Sequence, residues 1–266
     1  MGPNSKLYLS LIDELFHRGN GAAVTEHVAK GYQSHDPFVD RSVIPHRRGL
    51  ADLALRELRG VRYEVCDVFE ESNRVAARWV LLGHRPNGTR VAVPGISIAR
   101  VEGDRVHEGW GVADYNDVAD LTQPARLPAD AWEGKPRTIV TAAPADAHTR
   151  LAAYAWLVDQ CYHQRRVAAM SEALHPEYVG FDPFRDRGTG VGGIISFTEK
   201  VTALYPDLRY HILDAVEAGD RLCVRYRVEG TDTTGRHVVV PGISINHFEG
   251  ARIRRGWTMN HYGALS

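Results

Sequence analysis

The 266-residue chain is short of several things at once. It holds three cysteines, Cys66, Cys161 and Cys223, far apart along the sequence. An odd, scattered set suits neither a disulfide framework nor a zinc site, so each cysteine reads as a small buried hydrophobe. Neither sign of charge is in excess: 32 Lys and Arg meet 33 Asp and Glu, for a formal net charge of −1. That balance excludes a sequence-wide field for nucleic acid or anionic lipid. Lysine itself is scarce, at positions 6, 30, 135 and 200 alone, and the rest of the positive charge is arginine. No apolar run reaches about 18 residues, and the opening MGPNSKLYLSLIDELFHRGN lacks the long apolar core of a signal peptide. The expectation is a cytoplasmic protein that binds neither membrane nor nucleic acid. A glycine-rich phosphate loop, a Cys–His nucleophile and clustered metal-ligand spacing are missing too, so no cofactor and no metal are expected.

What is present is ordinary in bulk and unusual in arrangement. Apolar residues make up 44% and charged residues 24% of a chain long enough for one large domain or two small ones. Residues 91–110, VAVPGISIARVEGDRVHEGW, align on 238–257, VVVPGISINHFEGARIRRGW, with 12 identities in 20 positions. The match continues upstream: HDPFVDR (35–41) answers FDPFRDR (181–187), and RYEVCDVFEESNRVAARW (62–79) answers RYHILDAVEAGDRLCVRY (209–226). An offset near 147 residues is too long for a solenoid and right for a whole domain. The chain is a tandem duplication. Four prolines punctuate residues 123–147, which read as a semi-extended linker between a domain at 1–122 and a second at 148–266.

Each copy reads as helices followed by strands. Leu7, Leu11, Ile12 and Leu15 share one face of a helix near the start, and HTRLAAYAWLVDQCYHQ repeats the pattern. RLCVRYRVE alternates strictly, with Leu222, Val224, Tyr226 and Val228 on one side. Pro94 and Pro241, inside strand patterns, predict a bulge or an edge that curves the sheet. The expectation is an α+β fold of two units, each with N-terminal helices packed on a strongly curved antiparallel sheet around a small-molecule pocket.

The order of these residues resembles the SnoaL-like polyketide cyclases, in the wider superfamily of ketosteroid isomerase, scytalone dehydratase, limonene-epoxide hydrolase and nuclear transport factor 2. The marks are His35-Asp36-Pro37, the PGISIARVEGDRV hairpin, and Trp110 followed four residues later by Asp114. The resemblance covers both copies and implies the cone-shaped fold; the reaction varies within that fold. It implies that Asp114 is the acid/base residue. The second copy departs from the pattern: His261 stands at that position, and Phe181 replaces His35. The limonene-epoxide hydrolase pattern needs Arg and Asp two apart, but Val80 follows Arg78 and Arg227 follows Arg225, which disfavours that triad.

The chemistry expected of these residues is simple. An Asp in an apolar pocket has its pKa raised by desolvation, and a move from about 3.9 to near 7 takes roughly 4 kcal/mol. Such a carboxyl can protonate a carbonyl oxygen and later remove a proton. The alternative for Asp114 is an exposed strand end. His261, once buried, is a neutral imidazole at pH 7 and cannot copy a shielded acid. His35 is read as orienting a substrate oxygen or tuning Asp114; the alternative is plain turn chemistry, with Asp36 of the Asp-Pro step closing an Asx turn. Tyr115 and Tyr262 donate to an enolate oxygen or pack in the core. Trp110 and Trp257 are walls of the core or pocket. Arg78 and Arg225 either face the cone as oxyanion partners or line the outer sheet face. Three functions remain open: a cofactor-independent cyclase or isomerase on a polyketide-like molecule in bacterial secondary metabolism, an epoxide-opening or pyran-forming cyclase, or a non-catalytic binding protein. The fused copies are expected to pair within one chain as a pseudo-dimer, with further dimerisation open.

Overall fold

A computed structural model of the chain describes residues 1–36, 54–114, 117, 136–182 and 188–261. The chain divides into two compact units, Met1–Glu133 and Gly134–Ser266. Within the second, Arg137 donates its N–H to Ile212 O (2.9 Å) and Ile139 packs on the core, so residues from 136 onward are tied to that unit.

Helix α1 (Pro3–Ile12) opens the first unit and α3 (Arg150–Val158) is its counterpart in the second. The free N–H groups of a helix start need acceptors. Glu70 Oε2 takes the Ser5 N–H at 2.5 Å, and both Glu217 oxygens take those of Arg150 and Leu151 at 2.9 and 3.1 Å. Each helix ends in one wide π turn, Asp13–His17 and Asp159–His163. There His17 Nε2 accepts the Tyr63 N–H (3.3 Å) and His163 Nε2 that of Tyr210 (3.2 Å). The other ring nitrogen faces Asp13 or Asp159, which fixes a tautomer that leaves Nε2 free to accept. Short helices α2 (Ala23–His27) and α4 (Met170–Ala173) follow, and α5 (Val191–Leu204) belongs to the second unit.

The strands of the first unit are β1 (Val28–His35), β2 (Arg59–Glu71), β3 (Arg74–His84), β4 (Arg90–Glu102) and β5 (Arg105–Ala113). Those of the second are β6 (Leu174–Phe181), β7 (Arg209–Ala218), β8 (Arg221–Thr231), β9 (His237–Glu249) and β10 (Arg252–Asn260). Sheet order is β1-β5-β4-β3-β2 and β6-β10-β9-β8-β7. The α+β expectation holds with one correction: β1 and β6 run parallel to β5 and β10, so each sheet is mixed.

Alternation assigns the two faces of each sheet. Val75, Ala77, Trp79 and Leu81 of β3 pack with Tyr8, Leu11 and Leu15 of the first helix and its π turn, and Leu222, Val224 and Tyr226 do the same with Tyr154 and Leu157. These residues form the helix-facing interior. The cysteine expectation holds for Cys161 and Cys223 and fails for Cys66, which is exposed. Register slips between Val65 and Asp67, so Cys66 is the extra residue of a bulge and loses its place in the pleat.

Candidate functional site

The site begins with a proline. Pro94 lies in β4 opposite Val80 in unbroken register, so the bulge foreseen there is absent; bulges fall in the β2–β3 and β4–β5 pairings instead. A strand residue presents its N–H and C=O on the same side. Pro94 O accepts the Asp114 N–H at 2.9 Å, but its ring nitrogen offers no hydrogen in return. The β4–β5 ladder therefore stops at Gly95↔Ala113, and Asp114 stands half-buried as the first residue past β5. The second unit repeats this step: Pro241 O accepts the His261 N–H at 2.9 Å. His261 is buried, and desolvation lowers its pKa below the usual 6.5, as expected of a shielded imidazole.

Beside each ladder end lies a hydroxyl cluster. In the first unit Tyr8 Oη is 3.1 Å from Ser97 Oγ and 3.4 Å from Tyr63 Oη, and Trp79 Nε1 donates to Ser97 Oγ at 3.2 Å. The Trp79 ring lies across Gly95, where a Cβ would overlap it, which is why the PGIS motif needs glycine. Asp36 Oδ2 comes within 3.5 Å of where a Gly111 Cβ would sit, so a residue read as turn chemistry is a carboxylate facing the interior row of β5. Burial pushes the Tyr32 phenol up to about 12, helped by Asp36. In the second unit Tyr154 Oη is 2.7 Å from Tyr210 Oη and 3.4 Å from Ser244 Oγ, Asn246 Nδ2 donates to Ser244 Oγ (3.2 Å), and Tyr226 Oη donates to Asn260 Oδ1 (2.6 Å). Sequence reasoning missed these groups. The available signal was the repetition of Tyr8, Tyr63 and Ser97 as Tyr154, Tyr210 and Ser244.

Several expected site residues lie elsewhere. Trp110 pairs with Ile98, and Ile98 with Ala76, on the face of the sheet turned away from the helices, so Trp110 is no wall of the helix-facing interior. His35 stacks on Trp110 at 5.3 Å and its Nε2 is 2.9 Å from Glu108 Oε1, whose other oxygen takes Arg100 Nε at 3.0 Å. This imidazole is thus buried and already engaged. By the same alternation Arg78 pairs with Ile96 and stands opposite Asp67, and Arg225 pairs with Ile243 and stands opposite Asp214. Both arginines therefore lie on the outer face, the second of the two placements foreseen. Trp257 pairs with Ile245 there and stacks on Phe181 at 5.5 Å. Tyr115 and Tyr262 lie outside the described residues.

An open groove of about 750 Å³ runs between Arg165–Glu172 and Glu199–Pro206. None of its lining residues belongs to the hydroxyl cluster, so it is set apart from the chemistry above. Among the described residues, no three His, Cys, Asp or Glu side chains gather as a metal site, and no helix is long and apolar enough to cross a membrane.

A SnoaL-like polyketide cyclase from Agrobacterium tumefaciens is 24% identical, with a TM-score of 0.40, over 45% of this chain and 96% of that one. IdmH from Streptomyces antibioticus is 18% identical, with a TM-score of 0.39, over 47% and 96%. TsrD from Streptomyces laurentii is 21% identical, with a TM-score of 0.39, over 44% and 91%. No curated protein matches the chain. The SnoaL-like domain model matches twice, at residues 10–109 and 155–256, and on that coverage the chain belongs to the SnoaL-like family, with one such domain in each unit.

Proposed function

We propose that the chain is a cofactor-independent cyclase or isomerase acting on a polyketide-like small molecule, with Asp114 as its acid/base group. The observation that carries this is the ladder end: Asp114 gives its backbone N–H to Pro94 O and stands half-buried as the first residue past β5. An intramolecular aldol closure needs little more. The protonated carboxyl gives its proton to one carbonyl oxygen while the carbon–carbon bond forms. The enol form of the attacking carbon supplies the electron pair, and the resulting carboxylate takes the proton from the enol oxygen as that C=O reforms, which restores the catalyst. The hydroxyls of Tyr8, Tyr63 and Ser97 supply neutral hydrogen bonds to the enolate oxygen. Burial raises the Tyr8 phenol above 10, so it stays a donor near neutrality. His35 is a support in this scheme, since Glu108 and Trp110 already hold it. Pairing of the two units within one chain, and a setting in bacterial secondary metabolism, belong to the same proposal.

The test uses the full chain and a linear poly-β-ketone probe, with ring closure followed by NMR. Asp114→Asn keeps the shape and removes the proton, and closure should fall by about 10²–10⁴ while the melting temperature holds. Turnover at the wild-type rate would remove Asp114 from the mechanism.

A further inference from the structure

One end of the first unit's sheet gathers cations. Arg59, His84 and Arg90 stand side by side across β2, β3 and β4, since Arg59 pairs with His84 and His84 with Arg90. Arg62 lies beside them opposite Leu82, two residues from His84 and on the same face. Leu81, Val91 and Val93 alternate with this set and pack toward the helices, so the cations occupy the outer face. Residues three apart on a regular strand face opposite sides. Here the register slips between Arg59 and Arg62, and Gly60, at φ 61°, takes the left-handed conformation of the bulge. That extra residue brings both arginines to one side.

Between them lies a pocket of about 400 Å³, lined by Gly60, Arg62, Leu82, Gly83, His84 and Arg90. No carboxylate lines it. Arg62 reaches Glu64 at 3.6 Å, too long for a hydrogen bond, and Asp117 takes the Ala92 N–H (2.9 Å) outside the pocket. The side chains of Arg59, His84 and Arg90 are exposed and have no hydrogen bond or ion pair among the described residues. Like charges directly opposite on neighbouring strands destabilise a sheet, and an anion held between them relieves that cost. The scaffold itself does not require the cluster. In the second unit Arg59, Gly60, Leu82 and His84 correspond to Pro206, Asp207, Glu229 and Thr231. Asp207 Oδ1 accepts the Thr231 N–H at 2.6 Å, and Glu229 Oε1 is 2.8 Å from His211 Nε2. Two acids thus stand where the first unit has glycine and leucine.

We propose that this pocket binds the phosphate group of a small, soluble phosphate monoester, gripped by the guanidinium N–H groups of Arg62 and Arg90 and by the His84 ring. The chemistry fits the residue types. A guanidinium presents a planar fork of donors that matches two phosphate oxygens at once, and an imidazole keeps at least one N–H to give. Arg59 adds charge from beside the pocket, and Leu82 offers an apolar floor to the organic part of the ester. This goes beyond the acid/base reading of Asp114 and stands without it, because the cations lie on the face turned away from the helices and Asp114 is not among the lining residues.

The experiment titrates the full chain with phenyl phosphate and, as its uncharged counterpart, phenol. It is followed by NMR at about 0.1 M salt, where long-range attraction to surface charge is screened. Phenyl phosphate should move the backbone amides of Gly60, Gly83 and His84 and the side-chain Nε–H signals of Arg62 and Arg90, and phenol should not. Arg62→Gln and Arg90→Gln should each weaken binding about tenfold. Arg209→Gln, at the matching position of the second unit, and Asp114→Asn should both bind like the unaltered chain. Shifts spread over the arginines of both units, or an affinity unchanged in Arg62→Gln and Arg90→Gln, would overturn the proposal. So would phenol moving the same amides, or binding to vesicles that carry phosphatidic acid with none to phenyl phosphate, which would assign the cluster to a lipid surface.

Discussion

The two units share a scaffold down to single hydrogen bonds and differ in what the scaffold encloses. Both cap the first helix with a carboxylate from the first antiparallel strand, and both end that helix in a π turn whose histidine accepts a tyrosine N–H. Both stop the last strand with a proline carbonyl. At the released position one unit has Asp114 and the other has a buried His261. On the helix-facing rows of the sheets, one unit has Trp79, Ala99 and Ala113, while the other has Tyr226, Asn246 and Asn260. The frame has been kept and the lining replaced. Framework positions hold backbone groups that must be satisfied, whereas lining positions answer only to what they enclose.

The largest way to sharpen this comparison is through the cores. Val75 and Leu222 occupy corresponding positions and both are fully buried. Leu222→Ala should cost about 2–5 kcal/mol by denaturant titration, and Val75→Ala less, because it removes less volume. Equal losses would mean that the two cores relax differently. Next are the glycines beneath the aromatic rings. Gly95→Ala drives a Cβ into the Trp79 ring, and Gly242→Ala drives one into Tyr226 and the Asn260 side chain. Each should cost about 1–3 kcal/mol from overpacking. A lossless Gly95→Ala would show that the Trp79 ring moves freely and walls nothing.

The smallest effect is a pH slope that belongs to the second unit. The His261 pKa is lowered by burial below its usual 6.5, so the unfolded chain takes up the proton first as the solution is acidified. His261 therefore contributes stability that is fully present above pH 6.5 and is lost as the pH falls through the folded-state value. His261→Asn should flatten that part of the stability curve, read as melting temperature against pH. An unchanged slope would place its origin in another group.

Much of this was legible before the coordinates. The duplication, the helices-then-strands order and the face pattern of RLCVRYRVE all follow from repetition and periodicity. β1 was hidden because VAKGYQSH has no apolar alternation; an edge strand bonded only to β5 needs backbone pairing more than side-chain burial. The misplaced walls have a different cause. Both faces of β4 are buried, with Val91 and Val93 on one side and Ile96 and Ile98 on the other. Alternation then separates two faces without saying which one meets the helices, and Trp110 fell on the wrong side of that choice. The interior tyrosines were missed because each sits in an apolar pattern and passes for core. Their repetition as polar identities in both units was the clue.

The proline at the close of each last strand has an evolutionary consequence. A side chain placed just past it owes the sheet one N–H bond, which every residue but proline can make. Acid and imidazole are therefore interchangeable there at little cost to folding. Gene duplication gave this chain a second position of that kind, so the side chain there could change in one copy while the other kept its own.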